Sequence, residues 1–155
     1  MVDNISGEIP IISRPQKIMV VGCEKFSARI ISHLSRDGHV LKVVEQSSDR
    51  FNLLPQEKID SNSISTVLGD YTDRNFWNQI NLKDIEILIA ATEIDSCNLF
   101  LFHLATHILR VPKVFVILKD GKLANIYQTF DMKIINISEL VVDSINNYIN
   151  HDEDI

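Results

Sequence analysis

Long apolar runs are missing from this chain. Stretches such as Ile87-Leu88-Ile89-Ala90-Ala91 and Val114-Phe115-Val116-Ile117-Leu118 hold five residues each, against the roughly 20 that a bilayer-spanning helix needs. Direct membrane insertion is therefore not expected. Cysteine is scarce: Cys23 and Cys97 are the only two, which excludes a disulfide framework and fits a reducing compartment. An early basic cluster is also lacking. The first basic residue is Arg14, with Asp3 and Glu8 before it, whereas a secretory signal opens with positive charge and a long apolar stretch. A cytoplasmic location is expected. Basic residues are outnumbered 15 to 21, for a net charge of -6, and Lys and Arg are scattered along the sequence. Nucleic acid is thereby excluded as the main partner, because neutralising phosphates takes a basic stripe.

What is present is ordinary for a folded domain: 155 residues, 45% apolar and 23% charged, enough to bury one core. Residues 1–16, broken by Gly7, Pro10 and Pro15, read as a leader; 17–150 form the domain and 151–155 a tail. Ile18-Met19-Val20-Val21 ends at Gly22 as a strand buried on both faces should. Phe26, Ile30, Ile31 and Leu34 then recur at helical spacing until Asp37-Gly38 closes the helix. The alternation repeats: strands over 40–45, 65–70, 85–91, 113–119 and 132–137, with helices over 48–58 (interrupted by Pro55), 73–80, 95–110, 122–130 and 139–149. Six short strands, each expected to be apolar on two faces and each followed by a helix, specify an α/β, Rossmann-like, doubly wound parallel sheet with helices on both faces.

Ligands of such sheets sit at the carboxyl ends of the strands, where the order reverses. Four loops there carry polar residues. Gly22-Cys23-Glu24-Lys25-Phe26-Ser27 follows the first strand, where a dinucleotide fold wants G-x-G-x-x-G so that backbone N–H groups can approach phosphate. Only Gly22 remains; Glu24 holds the second glycine position and Ser27 the third. A carboxylate there repels phosphate by around 1 kcal/mol or more at 4 Å, depending on screening, which Lys25 on the same loop partly offsets. Glu45, at the end of the second strand and 23 residues after Gly22, stands where an acidic side chain accepts from ribose hydroxyls; a solvated strand-end charge is the plainer reading. Gly69-Asp70 and Thr92 complete the rim, with Asp70 a candidate acceptor for an adenine amino group and otherwise a helix cap. Thr92 and Asp95 compete as caps of the fourth helix.

Together these segments identify a resemblance. Residues 17–149 resemble the TrkA-N or RCK N-lobe family, cytoplasmic regulators of potassium channels and transporters. The matching motifs are Lys17-Ile18-Met19-Val20-Val21-Gly22, Gly38-His39-Val40 with Val43-Val44-Glu45, and Asp49-Arg50. They continue with Leu68-Gly69-Asp70-Tyr71-Thr72-Asp73 and with Thr92-Glu93-Ile94-Asp95-Ser96-Cys97-Asn98, a T-x-x-D-x-x-N pattern entering the fourth helix. The resemblance implies binding of NAD(H), ATP, ADP or AMP and transmission of the bound state to a potassium channel or transporter membrane subunit, which would hold the protein at the membrane periphery. Implied cofactor-binding residues are Gly22, Cys23, Glu24, Lys25 (at the family's usual arginine position), Phe26, Glu45, Gln46, Gly69, Asp70, Tyr71 and Thr92. With its glycine loop degraded, the chain is expected to favour an adenosine phosphate over a dinucleotide. Leu140, Val141, Ile145, Tyr148 and Ile149 stripe the last helix, which in the family pairs with a second subunit, so a homodimer or higher ring is expected; packing on its own sheet is the alternative.

Other constellations carry less. His103 and His107 share one helix face without an evident third ligand, so no metal site is expected. Cys23 and Cys97 meeting across the crevice would make a redox pair, but small thiols filling space are commoner. No Ser/His/Asp signature or catalytic carboxylate pair is found. A binding module is expected rather than an enzyme. The alternatives are a small NAD-dependent oxidoreductase and a ligand-free Rossmann scaffold for protein interaction.

Overall fold

The computed structural model describes residues 14–151 apart from 129 and 131; most of the expected leader and nearly all of the tail lie outside them. Six strands, β1 (Lys17–Val21), β2 (Val40–Glu45), β3 (Ile64–Leu68), β4 (Ile87–Ala90), β5 (Lys113–Leu118) and β6 (Lys133–Asn136), form one sheet in the order β3-β2-β1-β4-β5-β6. Every pairing is parallel, and the order reverses between β1 and β4. That reversal defines the Rossmann arrangement and opens a crevice beyond the carboxyl ends of those two strands. The helices are α1 (Lys25–Arg36), α2 (Gln56–Asp60), α3 (Arg74–Trp77), α4 (Asp95–His103), α5 (Gly121–Tyr127) and α6 (Ile137–His151).

Two apolar clusters sandwich the sheet. Met19, Val21, Leu88, Val116 and Leu118 point to one face and meet Trp77, Leu101 and Phe102 from α3 and α4. Ile18, Val20, Leu41, Val43 and Ile89 point to the other and meet Ala28 and Ile31 of α1. The central strands are buried along their length, as two covered faces require. The edges depart from the expectation of uniformly two-face burial: in β3 only Ile64 is buried, and Leu68 is 57% exposed. An edge strand has one neighbour and less helix above it, so Ser65 and Thr66 face water without cost.

Helix boundaries shift where the chain turns. Residues 48–58 divide into a 3-10 turn (Ser48–Leu53) and the short α2 on either side of Leu54-Pro55, since Pro55 lacks the N–H to continue a helix. The expected 95–110 helix changes to π geometry over Leu104–Ile108. The helix expected over 73–80 is only α3, 74–77, and that expected over 122–130 begins one residue earlier and ends at Tyr127. In α1 the buried stripe is Ser27, Ala28, Ile31 and Ser35; Phe26, expected on it, is 48% exposed. Small residues let α1 lie close on the sheet.

Gly22 makes the crevice possible. Its φ is +103°, and a Cβ there would sit 2.6 Å from the Ala91 carbonyl oxygen, so β1 and β4 can leave the sheet side by side only if this residue has no side chain. Gly38 also has a left-handed φ, +89°, but in open space. Gly38→Ala should cost about 1–2 kcal/mol, the backbone penalty alone. Gly22→Ala should cost clearly more, because backbone atoms of Ala91 and Thr92, just after β4, must also move; paired denaturant titrations check the ranking.

Candidate functional site

The four rim loops converge at the strand-order reversal. Gly22 donates its N–H to Val44 O at 2.9 Å and Gly69 donates to Glu45 O at 2.9 Å; a Cβ on Gly22 would touch Thr92 Cα. The Gln46 side-chain amide donates to Asp70 Oδ1 at 2.8 Å. Gly22, Glu45, Gln46, Gly69, Asp70 and Thr92 are thus assembled around one hollow edge.

Glu45 is completely buried. A buried charge needs hydrogen bonds on every side, and this one has them: the backbone N–H groups of Cys23 (2.8 Å), Gln46 (2.6 Å) and Ser47 (3.2 Å) donate to its oxygens, as does Arg50 Nη1 (3.2 Å). Its carboxylate therefore ties the β1 loop to the end of β2. The same Arg50 nitrogen donates to Glu24 Oε1 at 2.6 Å, so two carboxylates share one guanidinium. Glu24 Oε2 is buried with no hydrogen-bond partner among the described residues. Burial pushes the Glu24 carboxyl above the usual carboxylate range; Arg50 opposes that shift, while Glu93 and Glu45 add to it.

The loop's own donors are largely engaged. Cys23 N–H goes to Glu45, and Glu24 N–H goes to Ser27 Oγ at 2.9 Å, leaving the N–H groups of Lys25 and Phe26 at the start of α1, where a helix has no internal acceptors. Lys25 and Phe26 are exposed. The Cys23 thiol donates to Arg50 O at 3.4 Å and is pushed up to about 12, first by burial and then by Glu45 and Glu24. Cys97, half-buried, is also raised by burial. Both thiols are free and poor nucleophiles at neutral pH.

On the opposite lip, the T-x-x-D-x-x-N pattern is a set of staples. Asn98, buried, accepts from Thr92 N (2.9 Å) and Thr92 Oγ1 (2.7 Å) and donates to Thr92 O (2.9 Å) and Ile117 O (2.9 Å). Asp95 accepts from the N–H groups of Lys119 (3.0 Å) and Asp120 (2.8 Å). The loops after β4 and β5 are held together in this way. Ile94, not Thr92 or Asp95, occupies the cap position of α4; Thr92 Oγ1 accepts from the Ile94 N–H at 3.3 Å.

Between the lips, Thr72, Ser96, Cys97 and Phe100 line a hollow of about 290 Å3. Asp70 stands beside it, exposed, accepting from Thr72 N (2.9 Å) and Thr72 Oγ1 (2.6 Å); these bonds, with that from Gln46, hold its carboxyl below the usual range. Tyr71 turns away, its ring in the core and its carbonyl accepting from Trp77 Nε1 at 3.0 Å. Gly69 has no room for a side chain: a Cβ would strike the Phe76 ring at 2.1 Å. Sequence reasoning singled out neither Arg50 nor Asn98 as a site residue, although both stand in its motifs; a cation five residues after a strand-end acid was the available signal for the first.

These residues offer a mononucleotide and a dinucleotide different receptions. The hollow is lined by Thr72, Ser96, Cys97 and Phe100, with Asp70 and Gln46 bonded to each other beside it. The β1 loop presents a partly unsatisfied carboxylate and few free N–H groups where a pyrophosphate needs donors. His103 at the end of α4 and His107 in the π segment that follows stack with ring centroids 5.7 Å apart, and among the described residues no group of three or more His, Cys, Asp or Glu could hold a metal.

A parallel sheet with its loops gathered at the strand-order reversal defines the class: a Rossmann-type, nucleotide-binding-like α/β domain. More narrowly, the chain belongs to the TrkA-N domain family, which matches residues 18–137. It is 28% identical over 142 residues to the Trk system potassium uptake protein TrkA of Halomonas elongata, covering 87% of this chain and 30% of that protein; it thus spans less than a third of that relative. Among solved structures it resembles the NAD(P)-binding domain of an exopolyphosphatase-related protein from Archaeoglobus fulgidus (TM-score 0.68, 16% identity, 86% of this chain and 97% of that one). It also resembles the Shewanella denitrificans Kef CTD in AMP-bound form (TM-score 0.65, 17% identity, 86% and 80%).

Glu24 generates a pH prediction. Its folded-state carboxyl titrates above its unfolded value, so the ionised form is the costly one: stability is greatest below the ordinary carboxylate range and falls as pH rises through the raised value. Glu24→Gln removes that charge. The variant should melt higher than wild type at pH 7–8, with the gap closing on acidification to about pH 4. A gap that stays constant across the series would show that Glu24 is not the titrating group.

Proposed function

We propose that this domain is a nucleotide sensor for potassium transport: it binds an adenosine phosphate in the crevice between β1 and β4 and passes the bound state to a channel or transporter membrane subunit, at the cytoplasmic side. The observation that carries the reading is the pairing of a largely apolar hollow (Thr72, Ser96, Cys97, Phe100) that has Asp70 and Gln46 beside it with a β1 loop whose Cys23 and Glu24 N–H groups are engaged and whose Glu24 carboxylate keeps one oxygen without a partner among the described residues. The family match and the potassium-uptake relative support the setting, and similarity to an AMP-bound domain supports the ligand class. Lys25, at the open start of α1, would take a single phosphate group. Glu45 serves this site by shaping the loop, since all of its described bonds go to protein donors.

Calorimetric titration with AMP, ADP, ATP, NAD and NADH tests the proposal, with AMP or ADP expected to bind more tightly than NADH. Glu24→Gly should tighten NADH binding about fivefold or more, the equivalent of removing ~1 kcal/mol of repulsion. NADH binding as the strongest of the set would instead favour an oxidoreductase. Absence of binding by all five would favour a ligand-free scaffold, a reading that the self-satisfied Glu45 cradle supports.

The same reading includes a dimer through α6. Its first residue, Ile137, packs against the core, but residues 138–150 are all exposed, including Leu140, Val141, Ile145, Tyr148 and Ile149 at 51–78%. The alternative of a helix lying on its own sheet is not what the structure shows. An apolar stripe so placed suits a second copy of the helix. Ile145→Asp combined with Tyr148→Asp should shift sedimentation toward the monomer, weakening association about tenfold or more, while leaving the melting of the sheet domain cooperative. A wild-type chain that sediments as a monomer at high concentration would refute the dimer.

A further inference from the structure

A basic groove lies outside the crevice. Lys25, Ala28, Arg29, Ser32, Arg36 and Leu53 line a groove of about 360 Å3 between the outer face of α1 and the 3-10 turn after β2. We propose that this groove docks an extended acidic segment of a partner polypeptide.

Charge is the first argument. No acidic residue lines the groove, and α1 itself contains none, in a chain whose net charge is -6. The side chains of Lys25, Arg29 and Arg36 make no ion pair or hydrogen bond with any described residue; other cations such as Arg74 and Arg110 are equally free, and what sets these three apart is that they line one groove. Three exposed cations on one concave surface reinforce one another's potential and attract a polyanion, although exposed Asp49 on the facing 3-10 turn and Asp37 beside Arg36 reduce that potential. Lys25 also sits in the first turn of α1, where a positive charge opposes the helix dipole. Helix stability does not explain it.

Geometry selects the kind of anion. Positions 25, 29, 32 and 36 fall on one helix face, and the three cations spread over about 16 Å at 1.5 Å per residue. An extended peptide covers that distance in about five residues, placing carboxylates against successive cations with the Ser32 hydroxyl between them. Ala28 and Leu53 add an apolar floor for an intervening side chain. A lipid surface would meet a protruding face better than a recessed one. A DNA duplex would need a wider basic surface than one helix in an acidic protein provides. The groove is separate from the adenosine hollow and shares only Lys25 with the proposed phosphate position, so the inference stands whether or not a nucleotide binds.

The test uses the full chain and a fluorescein-labelled decapeptide alternating aspartate and alanine, read by anisotropy, with the asparagine counterpart as control. Binding of the aspartate peptide alone is expected, weakening about tenfold between 50 and 300 mM salt. Arg29→Glu with Arg36→Glu should abolish it, while Lys122→Glu with Lys133→Glu, an equal charge change elsewhere, should leave it within about twofold. All four positions are exposed, and unchanged melting curves will show that the variants fold. Phosphatidylglycerol vesicles and a 20-base-pair duplex form the remaining arms. No peptide binding, equal loss in both double variants, or tighter Arg29- and Arg36-dependent binding to vesicles or duplex would overturn the proposal.

Discussion

Glu45 takes a full negative charge out of water, and the geometry of the crevice follows from how that charge is satisfied. Three backbone N–H groups and Arg50 converge on it. One of those N–H groups belongs to Cys23, so the loop leaving β1 is pinned to the end of β2 immediately after the glycine that lets β1 and β4 run together. Arg50 reaches Glu45 from the solvent side, its own side chain 40% exposed, so the backbone donors carry most of the burden of the buried carboxylate. The loop conformation is thereby fixed by the fold. Its capacity to receive phosphate is fixed as well, since an N–H that supports Glu45 is not also available to a ligand.

The other lip is built on the same principle with neutral groups. Asn98 satisfies both its amide and its carbonyl on Thr92 and Ile117, and Asp95 collects the two N–H groups that follow β5. Each lip thus consists of side chains that cap strand ends, and the residues left to line the hollow are Thr72, Ser96, Cys97 and Phe100. Motifs that resemble a ligand-binding signature here act first on the protein. Their bonds fix the distance between the lips, and that distance decides what fits.

The sheet was legible because two-face burial leaves a strong trace. Ile18-Met19-Val20-Val21 and Val114-Phe115-Val116-Ile117-Leu118 have no other comfortable environment, and the βα alternation with right-handed crossovers leaves few orders. Edge strands and helix ends were less legible for the opposite reason. Ser65 and Thr66 are exposed because β3 has one neighbour, a property of the sheet that no local pattern encodes. The change to π geometry at Leu104–Ile108 depends on packing at the end of α4. At the site, positions could be read but directions could not: Glu45 was placed at the correct strand end, yet the structure turns its oxygens inward, where the acceptors of a ribose pose would have faced outward. Arg50 escaped notice because its two partners lie 26 and 5 residues away, a pairing that only the loop's curvature creates.

A sensor must also connect its crevice to whatever reads it, and the bonds that hold the second lip continue toward α6. Asp95 grips the N–H groups of Lys119 and Asp120; the Lys119 carbonyl accepts from Ser138 in the first turn of α6; and Asn136, at the end of β6, joins Glu139 one turn on. Contiguity alone does not make coupling, which requires two arrangements that a ligand binds with different affinity. The first lip holds the group with the strongest reason to differ between two such arrangements. Arg50 is shared between two carboxylates, one of which keeps a buried oxygen without a partner among the described residues. The Arg50–Glu24 pair lies at the loop of β1, while the bonds that reach α6 start from the loops after β4 and β5. Both meet at the contact of Gly22 with Ala91 and Thr92, too close for an intervening side chain, so displacement of one lip there must be felt by the other.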